Sequence, residues 1–185
     1  MDAWGIDVLV GASQKCLALP PGISPIGVSA RALERSRKSR RKGYAFDFTL
    51  WQERWADGEV VGTPALPQLY ALEYQLEQIN KERLAARWAR HGSMSKRTQE
   101  WARAHGWRPF SETESHLCSV SCLLPPREQS TAPIVAALRR RGYLVDDGYG
   151  QLKGRILRIG HMGDWQEDDL EGLLRELSEA LPEAR

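Results

Sequence analysis

Hydrophobic residues fall in short runs in the first part of this chain and in helical periods further on. Ile6 to Val10 is a short, mostly apolar run that predicts a buried strand, ending in Gly11-Ala12-Ser13. After Gln14-Lys15, a second apolar patch from Cys16 to Leu19 is closed by the rigid turn Pro20-Pro21-Gly22. Ile23 to Val28 predicts another strand, with Ser29 capping a short helix through Arg37. Tyr44 to Leu50 alternates apolar with polar residues and reads as extended, and Asp57-Gly58 marks a turn. Thr63-Pro64 predicts a helix start, threonine as N-cap and proline at the first helical position, with Leu66, Leu69, Leu72, Leu76 and Ile79 following at helical spacing.

A longer helix is predicted over about 81–105, with Leu84, Trp88, His91, Met94, Thr98 and Trp101 along one side and both tryptophans in packing roles. Leu117 to Leu124 reads as a strand, ended by Pro125-Pro126. A short helix carrying Ile134, Val135 and Leu138 ends at Gly142, and Tyr143 to Val145 and Ile156 to Ile159 read as two more strands. A last helix is predicted from a cap at Asp164 with Glu167 three residues on, its stripe being Leu170, Leu173, Leu174, Leu177 and Leu181. This order gives an α/β layer with helices on one face of a mixed sheet.

Composition narrows the class. Hydrophobic residues make up 42% and charged residues 27% of the 185 positions, ordinary for a globular protein. No apolar run approaches a membrane span, and the N-terminus lacks a signal-peptide pattern, so the cytoplasm is the expected compartment, with no membrane partner. Cys16, Cys118 and Cys122 show no metal-type pairing and are expected as reduced thiols; Cys118 and Cys122 stand an even number apart on the predicted strand. The net charge is +2, but Arg31 to Lys42 sets seven basic side chains against Glu34 alone. With no aromatic residues interleaved in the run, it is expected to be a solvated surface rather than a nucleic-acid site.

The candidate chemistry begins at Lys15. An amine held between apolar segments is partly desolvated, which favours its neutral, nucleophilic form, although the same lysine could cap a strand end and reach water. Arg158 sits in an apolar strand and offers a fork suited to a carboxylate, or a structural ion pair; His161 close by reads as a structural histidine.

The wording DVLVGASQKCLALPPG around Lys15 resembles the cofactor-lysine segment of the class V pyridoxal-phosphate aminotransferases, in the serine–pyruvate/alanine–glyoxylate branch. Arg155-Ile156-Leu157-Arg158-Ile159-Gly160-His161-Met162-Gly163 resembles the substrate-carboxylate motif of the same branch. The order of the two motifs implies the C-terminal half of a fold-type I enzyme, α/β in class. Residues 1–80 would close the large cofactor-binding domain, and residues 81–185 would form the small domain.

The resemblance implies that Lys15 binds pyridoxal 5'-phosphate and moves the substrate proton, that Gln14 and Thr63 contact the cofactor phosphate, and that Arg158 binds the substrate carboxylate. It implies transfer of an amino group from a small amino acid such as alanine or serine to a 2-oxo acid such as glyoxylate or pyruvate. It also implies a homodimer in the full-length family, with Thr63 serving the neighbouring subunit, or completion by a separate N-terminal half. Val60 departs from the pattern, standing where the family often has a phosphate-binding tyrosine. The phosphate loop, the ring-stacking aromatic and the acidic partner of the pyridine nitrogen have no match here, so the chain alone is expected to be inactive. A class V desulfurase or lyase, or a non-catalytic assembly module, are the alternative readings.

Overall fold

The computed structural model describes residues 1–111, 118–126 and 129–183, which form two units, Met1–Gln78 and Ile79–Arg185. The fold is mixed α/β, as the pattern predicts.

In the first unit, strands β1 (Val8–Val10) and β2 (Ile26–Val28) form an antiparallel pair with Leu9 opposite Gly27. Helix α1 (Ala30–Lys38) starts where Ser29 Oγ accepts the N–H of Ala32 at 3.1 Å, as its sequence predicts. The extended reading of Tyr44 to Leu50 does not hold. Tyr44–Phe46 form a single 3-10 turn, and α2 (Phe48–Ala56) follows because Asp47 accepts the N–H groups of Thr49 and Leu50 and nucleates a helix. Gly58 leaves α2 at φ +74°, matching the predicted turn.

Helix α3 (Leu66–Glu82) begins later than Thr63-Pro64 predicts. Had Thr63 been the cap, Pro67 would stand at the fourth helical position, where its missing N–H is needed and its ring meets the Thr63 carbonyl. Starting at Leu66 puts Pro67 in the first turn, where neither matters. Thr63 is therefore exposed and ahead of the helix rather than its N-cap.

β1 is also not buried: Val8, Leu9 and Val10 are 40%, 51% and 62% exposed. Among the described residues of this unit only Ser13 and Gln75 are buried, since a two-stranded pair has no second layer to cover its faces.

The second unit holds the core. Arg83, at φ +71°, separates α3 from α4 (Leu84–Ala104). Strands β3 (Arg108–Pro109), β4 (Val120–Leu124) and β5 (Leu157–Gly160) follow in spatial order and are all antiparallel, so the sheet is not mixed. Tyr143 to Val145 is not a strand; only a bridge from Asp146 to Arg158 extends the sheet there. Helices α5 (Ala132–Arg140) and α6 (Glu167–Glu183) complete the unit.

Met94 and Trp101 of α4, Leu123 of β4, Leu157 and Ile159 of β5, and Leu174 and Leu177 of α6 share one core, so helices cover one face of the sheet. On α4 that face enters through Arg87, not Trp88, which is exposed and packs into no core. The α6 stripe forms as predicted, but the cap lies two residues on: Gln166 N–H donates to Asp169 at 2.9 Å, while Asp164 accepts from Arg87. Leu117 lies outside the described residues. Cys118 precedes β4 and Cys122 lies within it; neither of these nor Cys16 is in a disulfide.

Candidate active site

The first motif folds as a tight turn between β1 and β2, and Ser13 is its fixed point. Ser13 is completely buried. Its hydroxyl donates to the Pro20 carbonyl at 2.8 Å and accepts the Ile23 N–H at 3.3 Å. Its own N–H donates to Ile23, and its carbonyl accepts from Leu19. The four bonds tie both ends of the turn to one residue. Gly11 just before it packs closely on Pro25, where a Cβ would stand 3.0 Å from the ring.

The turn pushes Gln14, Lys15 and Cys16 outward, and all three are exposed. The expected enclosure of Lys15 between apolar segments is thus not present. Ala12 accepts the Lys15 N–H at 3.3 Å, and the Lys15 carbonyl accepts the Ala18 N–H at 2.9 Å, with Ala18 at φ +54°. Backbone bonds therefore set the lysine's direction, and its ammonium has no carboxylate partner among the described residues. An amine free of an ion pair suits an aldehyde-bearing cofactor. The flanking amide of Gln14 and the exposed hydroxyl of Thr63 are neutral donors suited to a phosphate. Lys15, Gln14 and Thr63 all lie in the first unit, and Arg158 lies in the second.

Arg158 is placed by the sheet. The core side of β5 is taken by Leu157 and Ile159, so Arg158, paired with Cys122, lies on the half-exposed face. Its N–H donates to the Asp146 carbonyl at 2.7 Å. Its guanidinium stands 3.6 Å from the Asp146 carboxylate and lies over the Tyr149 ring at 5.2 Å. The guanidinium is thus flanked by a carboxylate and a ring while remaining partly in water.

Sequence reasoning missed Asp146, Tyr149 and Ser13. Asp147-Gly148 has the composition of a turn, but nothing in its spacing names the turn's target. Gly148 fixes that turn at φ +86°, where a Cβ would come within 2.6 Å of the Leu152 carbonyl oxygen.

The loop after Arg158 is clamped by α4. Arg87 pairs with Glu82 at 2.7 Å and Asp164 at 2.8 Å; Arg90 pairs with Glu82 and donates to the carbonyls of Gly163 and Trp165. His91 bonds the Gly163 carbonyl at 3.0 Å. His161 is completely buried, its Nε2 is 2.9 Å from Ser121 Oγ, and its Nδ1 has no protein partner among the described residues. Burial, with a smaller contribution from nearby His91, lowers its pKa to about 4. A neutral imidazole fits the structural role expected for it.

No protein-family model matches the chain. It is 30% identical to serine–glyoxylate aminotransferase of Arabidopsis thaliana, over 94% of this chain and 44% of that protein. It is 31% identical to serine–glyoxylate aminotransferase of Methylorubrum extorquens, over 94% of this chain and 45% of that one. Among solved structures, alanine–glyoxylate aminotransferase from Nostoc sp. superimposes with a TM-score of 0.88 at 29% identity, over 97% of this chain and 49% of its own. The chain spans about half the length of the curated relatives it matches. The resemblance carried by the two motifs is borne out.

Proposed function

We propose, from a chain homologous to the C-terminal half of the class V pyridoxal-phosphate-dependent aminotransferases of the serine/alanine–glyoxylate type, that Lys15 is the cofactor lysine of a transaminase site. The observation that carries the reading is the turn itself, which presents an ammonium without an ion-pair partner on a backbone fixed by buried Ser13.

Pyridoxal phosphate, when bound, supplies an aldehyde and an electron sink for the substrate's α-carbon. Lys15 would provide the amine that holds it and, once free, would move the proton between the substrate's α-carbon and the cofactor's C4′. Gln14 and Thr63 supply hydrogen-bond donors to the cofactor phosphate, and Val60 adds none. Arg158 binds the α-carboxylate through two parallel N–H donors, pre-aimed by Asp146 and Tyr149. The substrates are a small amino acid such as alanine or serine and a 2-oxo acid such as glyoxylate or pyruvate. The working assembly is a cytoplasmic homodimer carrying the segment equivalent to the relatives' other half.

The test is chemical. Pyridoxal phosphate is added to the purified chain, the imine is reduced with borohydride, and labelled lysines are mapped by mass. Selective labelling of Lys15, lost in Lys15→Ala, is the expected result. Equal labelling of Lys38, Lys42, Lys81 and Lys96 overturns the assignment.

A further inference from the structure

The basic run from Arg31 to Lys42 takes no part in the site proposed above, and the fold gives it a shape. A cavity of about 500 Å³ opens between β1, α1 and the start of α2, within the first unit. That is a volume typical of small-molecule sites, which span roughly 300–1,000 Å³. Its apolar walls come from Val8, Phe46 and Phe48, and its polar rim from Arg35, Ser36 and Arg41. The sequence separates the aromatics from the arginines by several residues; the 3-10 turn over Tyr44–Phe46 folds them back against α1.

The charges around the cavity are unequally matched. Arg31 is held by Asp7 through a bidentate contact at 2.8 and 2.9 Å, and Lys42 by Asp47 at 3.3 Å. Glu34 is engaged by Arg37 and Lys38. Arg35 and Arg41 face the same cavity with no acidic partner among the described residues. Two unmatched guanidiniums favour an oxyanion, and a phosphate dianion matches both their charge and their planar donor geometry. The phenylalanine walls favour a ligand with a flat apolar body over a bare ion.

We infer that this cavity binds a small organic phosphate, its phosphate on Arg35 and Arg41 and its apolar body against Phe46 and Phe48. The site is independent of Lys15, because it needs no aldehyde and no amine.

Calorimetric titration of the purified chain with phenyl phosphate tests it, with inorganic phosphate and phenol as the two half-ligands. Phenyl phosphate lacks an aldehyde, so its binding reports nothing on the transaminase reading. The expected result is one saturable site, with phenyl phosphate at least about tenfold tighter than inorganic phosphate, and phenol not bound. Arg35→Gln and Arg41→Gln are each expected to weaken binding by about tenfold, and Phe46→Ala to bring phenyl phosphate down to the level of inorganic phosphate. All three positions are exposed, so their replacement leaves the fold intact. Arg40→Gln, at an exposed position outside the cavity, should change affinity less than about twofold. Absence of saturation overturns the inference. So does equal affinity for inorganic phosphate, or an Arg40→Gln loss as large as that of Arg41→Gln, which would mean diffuse charge attraction.

Discussion

At the scale of single residues, the second unit carries Arg158 on one sheet face and its pH sensitivity on the other. Arg158 is partly neutralised by Asp146 at 3.6 Å, so a substrate carboxylate bound there as proposed would compete with a carboxylate already present. Asp146→Asn is expected to tighten binding of alanine by about two- to fivefold, the range of an exposed pair, with the shift read by NMR titration. Arg158→Ala should abolish that binding, and unchanged affinity in both variants would remove Arg158 from the site. On the buried side, His161 is neutral in the fold, with a pKa of about 4 against an ordinary value of 6.5. The unfolded chain takes a proton below 6.5 that the folded chain refuses until about 4. Stability is therefore complete above pH 6.5 and falls toward pH 4, by about 3 kcal/mol from this histidine. An NMR titration of the His161 ring should show the depressed value directly, and urea midpoints at pH 7 and 4.5 should differ accordingly. A ring titrating near 6.5 would contradict the buried, unprotonated state.

At the scale of elements, what the sequence made legible depended on whether the signal was local. The α6 stripe and the α1 cap at Ser29 were readable because each is decided by neighbours three or four residues away. The start of α3 was not, because two prolines compete and the winner is set by which N–H the first turn can spare. Lys15 and Arg158 are proposed from motif wording, whereas Ser13, Asp146 and Tyr149 act through contacts that no spacing encodes. Ser13 bonds Pro20 and Ile23, seven and ten residues on. Ser13→Ala should leave the Ile23 N–H and the Pro20 carbonyl without that hydroxyl and cost about 1–3 kcal/mol locally. Hydrogen exchange at Ile23 and Leu19 should quicken by about tenfold or more, with the second unit unaffected. No change in exchange would show that Ser13 does not anchor the lysine turn.

At the scale of the whole molecule, the two units differ in what holds them. Every residue of the described hydrophobic core lies in the unit Ile79–Arg185, including Leu123, Leu138, Leu157 and Leu177, each inaccessible to solvent. In Met1–Gln78 no apolar side chain is buried, and Trp4, Trp55, Tyr70 and the whole of β1 are exposed. Fixing each residue costs about 1–2 kcal/mol of conformational entropy, and burying a large apolar side chain returns about 1.5–3 kcal/mol. The second unit can meet that cost from its own contacts and the first cannot. A chain of residues 79–185 keeps Glu82, Arg87 and Arg90 together and should melt cooperatively. In the intact chain, amides of β5 and α6 should exchange at least about a thousandfold more slowly than those of β1 and β2. Equal protection in the two units would mean that the first is stabilised by contacts outside its own fold. Fast exchange confined to β1 and β2 would instead place the lysine turn on a segment whose order depends on added polypeptide or ligand, and pyridoxal phosphate should then slow exchange around Ser13 and Lys15.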